Sequence, residues 1–216
     1  MKTTSWPGFE HGIGIGGWLT NYKRFNVLPD KWKFPLTIGD YEHFDTYITE
    51  QDIQNIASLK ADHIRLGFDQ LVLEEAPGIY RERTFVLLDH FLDWCEKYGI
   101  HAVMNLHKAI GNYCDAPSDV NLFDDPQLQL GFINFWCECE RRWHHRPDPV
   151  FELLNEVTKK EYNETWKRVA RTCIERIRTV AKDITILVGG YYNNSLEAVR
   201  DLAEPRVGVD LEGEVR

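Results

Sequence analysis

Five short apolar runs recur along this chain, each separated from the next by a longer segment of helical periodicity, and that alternation limits its fold more than any other feature. The runs are GIGIGGWL at 12–19, DHIRLGFD at 62–69, IHAVMNLH at 100–107, PVFELLN at 149–155 and ITILVGG at 184–190. Between them, YITEQDIQNIASLKA at 47–61 reads as a helix, with Thr49 as a cap, Asp52 three residues on, and Ile48 and Ile53 spaced as a hydrophobic staple. A second helix over 84–98 places Leu88, Phe91, Leu92 and Cys95 on one face and stops at Gly99. Asp125-Pro126 opens a third, to about His144, with Leu128, Phe132, Phe135, Trp136 and Trp143 to pack. A fourth, over 161–182, carries Trp166, Val169, Cys173, Ile177 and Val180 on one face, and Ser195 caps a short fifth. The closing RVGVDLEGEVR can supply at most one more strand.

Strands separated by helices are expected to be parallel, because each connection must cross back over the sheet. Two architectures satisfy this, an open doubly wound sheet and a (β/α)8 barrel. The barrel is favoured because no G-x-G-x-x-G opens a helix and because polar groups recur where strands end. GIGIGG imitates a glycine-rich phosphate loop, but a long irregular segment follows it in place of a helix. The expectation is one α/β domain over 1–216, an incomplete (β/α)8 TIM barrel comprising roughly the first five or six strand-helix units.

Composition narrows the function. With 43% hydrophobic and 27% charged residues the chain is that of a folded globular protein, and a formal charge of -9 argues against nucleic acid, whose phosphates demand clustered Lys and Arg. No apolar run reaches the length of a membrane span, and MKTTSWPGFE lacks the apolar core of a signal peptide. A cytoplasmic location is expected for the sequence as given, with secretion of a longer parent left open. Cysteines 95, 114, 137, 139 and 173 are odd in number and form no C-x-x-C pair, which fits a reducing compartment. Cys137 and Cys139, two apart on a helix near His144 and His145, point in different directions, so neither metal nor cofactor is expected.

The polar strand ends supply the candidate chemistry. Arg65 lies in the second run, His107 ends the third, and Asn155-Glu156 ends the fourth. Arg65 could serve an internal ion pair and His107 could be a satisfied polar residue. Glu156 is more informative, since a carboxylate closing an apolar run needs partners or a raised pKa, and a raised pKa suits the protonation of a departing glycosidic oxygen. Asn155 could bind a sugar hydroxyl, and Trp18, Tyr191 and Tyr192 could offer flat faces to pyranose rings. Core or loop packing is the commoner use of any one such aromatic.

In this order and spacing GIGIGGWL, HIRLGFD, NLHKAIGNYC, FELLNEV and ILVGGYYNN resemble glycoside hydrolase family 5, cellulases of endo-β-glucanase type, over about residues 10–200. The resemblance implies a (β/α)8 barrel and retaining hydrolysis of β-linked oligo- or polysaccharides. It implies Glu156 as general acid/base, Asn155 on the sugar 2-hydroxyl, and Arg65 and His107 supporting the substrate and a second carboxylate. Lys108 stands where many relatives have a second His. The family's nucleophilic Glu follows a seventh strand, with His-x-Tyr after the sixth and Trp after the eighth, and this chain stops before them. GEV at 213–215 offers Glu214, with Glu212 beside it, but too few residues follow the fifth run to build the intervening crossovers. Activity impaired by the missing nucleophile is therefore expected; the alternative is an inactive or sugar-binding remnant. Unpaired barrel edges favour a homo-oligomer, most simply a two-fold dimer.

Overall fold

The structure, a computed structural model, describes residues 7–20, 35–112, 121–147 and 149–202. In chain order the elements are β1 (Gly12–Leu19), α1 (Ile38–Tyr47), α2 (Glu50–Ser58), β2 (His63–Asp69), α3 (Gln70–Leu73), β3 (Glu74–Ala76), β4 (Ile79–Tyr80) and α4 (Glu82–Tyr98). They continue with β5 (His101–Lys108), α5 (Pro126–Trp143), β6 (Pro149–Glu152), a 3-10 turn (Lys160–Tyr162), α6 (Asn163–Arg178), β7 (Ile186–Leu187), α7 (Tyr191–Asn194) and α8 (Leu196–Leu202). Five strands form one parallel sheet in the order β1-β2-β5-β6-β7, and β3-β4 is a separate antiparallel hairpin. Each strand of the large sheet pairs with the next one in the chain, so the order never reverses. A doubly wound sheet would reverse at its switch point; five successive units of an incomplete (β/α)8 barrel do not.

Alternation along the strands gives the sheet two faces. Ile64, Leu66 and Phe68 of β2, Ala102, Met104 and Leu106 of β5, and Phe151 of β6 are buried in the main core. There they meet α4 and α5: the Trp136 ring lies tilted 5.0 Å from Phe151, and Phe68 lies 6.3 Å from both Phe135 and Trp136. The opposite, inner face carries Arg65, Gly67, Asn105, His107 and Glu152, with Gly67 beside Asn105 and Asn105 beside Glu152 in register.

Helix ends follow local chemistry. The Asp52 carboxylate accepts from the Thr49 N–H at 2.8 Å and its hydroxyl at 2.7 Å, and Asp125 accepts from Gln127 N at 2.8 Å with Pro126 at the first helical position. Gly99 closes α4 at φ 68. The sequence reading passed over α1, whose buried side is a single residue, Phe44, although Thr37 and Asp40 form the same capping box. It also passed over the β3-β4 hairpin.

Two strands are shorter than expected. β6 leaves the ladder after Glu152, because the Leu153 carbonyl is taken by the Trp136 indole at 3.0 Å and Asn155 N donates to Leu106 O at 3.0 Å. β7 holds Ile186–Leu187 only, since the chain then turns toward α6, whose Trp166 indole donates to Gly189 O at 2.7 Å. α6 ends at Arg178, which leaves Val180 exposed and off the packed face.

The end of the sheet away from the candidate chemistry is closed by the leading segment. Phe9 stacks on His101 at 4.9 Å, and Asp62 receives the N–H groups of Glu10 and His11 at 2.8 and 3.0 Å and the His63 ring at 2.6 Å. Withdrawal from water pushes the Asp62 carboxyl up, but the hydrogen bonds from His63, Glu10 and His11 outweigh it and hold the group down to about 2. A carboxyl whose folded pKa is depressed contributes stability that is complete above its unfolded value near 3.8 and is lost as pH falls through about 2. Thermal midpoints measured by circular dichroism between pH 5 and pH 2 should therefore fall less steeply for Asp62→Asn than for the native chain. Asp125→Ala, which removes a helix cap, should lower stability by about 1 kcal/mol in urea titrations.

Candidate active site

The carboxyl ends of β2, β5 and β6 meet on the inner face, and one guanidinium joins two of them. Arg65 Nε donates to Glu152 Oε2 at 2.6 Å, and its Nη2 donates to Glu152 Oε1 at 2.7 Å and to Asn155 Oδ1 at 2.7 Å. The fork matches the carboxylate, which is why Arg and not Lys serves here. Its side chain is 39% exposed and that of Glu152 is 13% exposed, so water reaches part of the guanidinium. With Oδ1 of Asn155 committed to Arg65, the amide NH2 is the end that can donate to a ligand.

Past Glu152 the chain leaves the ladder, and backbone and side-chain groups of other segments hold it. Leu153 N donates to Leu187 O at 3.1 Å. Asn112 Nδ2 donates to the Glu156 carbonyl at 2.9 Å, Asn194 Nδ2 to the Asn155 carbonyl at 3.2 Å, and Asn193 N to the Val157 carbonyl at 3.2 Å. Gln70, just after β2, accepts from Ile110 N at 3.0 Å and so braces the turn that carries Asn112. Glu156 is half-buried between buried Leu154 and Val157. On β5, His107 is half-buried, with Nδ1 3.2 Å from Asn105 Oδ1. The Nδ2 of fully buried Asn105 has no hydrogen-bond partner among the described residues. Lys108 is buried at the strand's end.

Arg65, Asn155 and His107 thus lie toward one end of the sheet, and Glu156 follows Asn155 there, whereas the aromatic expectations need correction. Trp18 is fully buried, its indole donating to Phe44 O at 2.7 Å and its ring 6.2 Å from Phe91, so it belongs to the core. Tyr191 is also fully buried, its hydroxyl donating to Asp201 Oδ2 at 2.8 Å with the Lys160 ammonium over its ring. Glu212 and Glu214 lie outside the described residues. Cys137 is half-buried and Cys139 buried, and no group of three or more His, Cys, Asp or Glu among the described residues could hold a metal ion. No described helix is long and apolar enough to cross a membrane.

Sequence reasoning missed Glu152, Asn105, Asn112 and Asn194. Glu152 had a signal: it lies two residues after Val150 in a strand whose Phe151 points outward, so its carboxylate had to enter the side that Arg65 occupies.

Comparison with known proteins identifies the family. Residues 29–211 match the Cellulase (glycosyl hydrolase family 5) family, and the chain belongs to that family. It is 33% identical over 199 residues to Endoglucanase C of Acetivibrio thermocellus, covering 91% of this chain and 54% of that one. It is 34% identical over 202 residues to Cellodextrinase A of Ruminococcus flavefaciens, covering 92% and 55%. The chain spans about half the length of these curated relatives. The crystal structure of endoglucanase Cel5A from the hyperthermophilic Thermotoga maritima superposes with a TM-score of 0.69 at 22% identity, over 92% of this chain and 57% of that one, a likeness of fold.

Glu152→Ala would leave the Arg65 guanidinium without its fork partner. Because water can reach part of that guanidinium, the expected loss is about 1–2 kcal/mol, below that of a sealed pair. Urea unfolding should show it, with Glu152→Gln losing less because its amide oxygen still accepts one bond.

Proposed function

We propose that this chain carries the acid/base half of a site that hydrolyses β-linked glucans, of the endo-β-1,4-glucanase or cellulase type. The observation that carries the reading is the Arg65-Glu152-Asn155 network, which fixes Asn155 immediately before Glu156 at the carboxyl end of the fourth barrel strand. Its relatives' names, endoglucanase and cellodextrinase, support the substrate class. Glu156 gives its proton to the departing glycosidic oxygen and later withdraws one from the attacking water. Asn155 donates its amide to the sugar 2-hydroxyl, a bond that strengthens as positive charge develops on the ring. His107 and Arg65, on the same face of the sheet, orient the sugar and the second carboxylate.

Retaining chemistry requires that second carboxylate about 5–5.5 Å from the acid/base. In this reading it comes from residues outside the described ones or from a partner subunit, and turnover by the chain alone is weak. An aryl β-cellobioside provides the test. Hydrolysis should fall by at least about 100-fold in Glu156→Ala, with the β-anomer appearing first by proton NMR; turnover that survives the substitution removes Glu156 from the role.

A second reading, a sugar-binding oligomeric half-barrel, draws support from the outer edges of β1 and β7, which have no partner strand among the described residues. Such edges recruit other chains. Light scattering at low micromolar concentration should then give twice the chain mass or more, and a sharply melting monomer would dismiss association.

A further inference from the structure

We propose that Glu74, a buried carboxylate at the start of the β3-β4 hairpin, is a positioning residue for Glu156 that acts through Gln70 and the turn at 109–112. The proposal rests on the acid/base reading of Glu156 and adds to it a residue that touches no substrate. Gln70 and Glu74 stand four residues apart across the single turn of α3, and each is 1% exposed. Both Glu74 oxygens are engaged: Oε2 accepts from Gln70 Nε2 at 2.7 Å and Oε1 from Gly78 N at 2.8 Å. Burial pushes the carboxyl up, outweighing the bonds from Gln70 and Gly78. The hairpin does not demand so costly a group, because Gly78 is exposed and water can serve its N–H.

What the carboxylate supplies is a direction for the Gln70 amide. An amide can present either its oxygen or its NH2 to a neighbour, whereas an ionised carboxylate only accepts. Glu74 therefore draws the NH2 to itself and leaves Oε1 to face Ile110 N, which donates to it at 3.0 Å. Ile110 is 2% exposed, so the reversed amide would set two donors together where water does not reach.

The turn carries this constraint to the strand end. Asn112 N donates to Ala109 O at 2.9 Å, and Gly111, at φ 83, lies so near the chain beside it that a Cβ would come within 2.7 Å of Leu122 N. From that turn Asn112 Nδ2 donates to the Glu156 carbonyl at 2.9 Å. Four side-chain bonds thus join the hairpin to the main chain of Glu156, by way of Glu74, Gln70 and Asn112.

Carbonyl and amide NMR spectra of Glu74→Met and Glu74→Gln beside the native chain test the proposal, together with hydrolysis of the aryl β-cellobioside. Glu74→Met keeps the bulk and removes the acceptor. In it the Ile110 N–H should exchange with solvent about tenfold faster, the Glu156 carbonyl resonance should move, and kcat should fall about tenfold with KM within about a factor of two. Glu74→Gln still offers Gln70 an oxygen and gives up only the Gly78 bond, so it should keep the native Glu156 resonance and kcat. Should Glu74→Met not fold, Gln70→Met combined with Glu74→Met removes both partners at nearly constant volume and should show the same displacement of the Glu156 resonance. A Glu156 carbonyl resonance that stays in place in the folded single or double variant overturns the proposal, as does one that moves equally in Glu74→Gln. A resonance that follows Glu74 in a chain without Glu156-dependent turnover would uphold the positioning and reject the chemistry; Glu156-dependent turnover that Glu74→Met leaves unchanged would do the reverse.

Discussion

One cation organises the inner face of this sheet. Arg65 comes from β2, its carboxylate partner Glu152 from β6, and Asn155 from the segment that follows β6, so three short bonds tie strands that β5 separates. Backbone pairing alone would fix the height of the strands but not the direction in which Asn155 points. By taking its carbonyl oxygen, the guanidinium chooses one of two amide orientations. Glu152 in turn limits where the guanidinium can sit. The chemistry proposed for the strand end therefore depends on a carboxylate that touches no substrate in that scheme.

The irregular stretch after Glu152 is the second requirement. A strand continued to Asn155 would commit its backbone groups to the ladder. The bonds instead go to the Trp136 indole, Leu106, Asn112 and the 193–194 turn, each from a different part of the barrel. Ordering this stretch with side-chain bonds lets it bend out of the sheet without leaving buried polar groups unmatched.

Much of the fold could be read from the sequence, since it was written in local patterns. The starts of α2 and α5 and the end of α4 were marked by Thr49-Asp52, Asp125-Pro126 and Gly99, groups that act over four residues or fewer. α1 was illegible because one buried residue, Phe44, gives no period, and the ends of β6 and β7 were illegible because bonds from distant residues decide them. The same division runs through the site. Arg65, His107, Asn155 and Glu156 stood out as polar groups at strand ends, whereas Glu152 was hidden in FELLN until the register placed it opposite Asn105. Trp18 and Tyr191 were misread for a related reason: an aromatic's type says nothing of which side of a strand or loop faces the core.

That five strands hold such a network has a physical basis in the barrel's construction. Each strand end is positioned by its immediate neighbours, and the network from Arg65 to Asn155 is closed within β2, β5 and β6 and the loops beside them. No bond in it requires a strand beyond β7. A carboxylate delivered by another segment would meet donors already oriented, so that bringing it there would order fewer groups than assembling the site from separate strands. The proposed acid/base half of the site is in this sense an independent part of the barrel, and its geometry can be altered at Glu152 or Asn194 without touching the groups proposed to react.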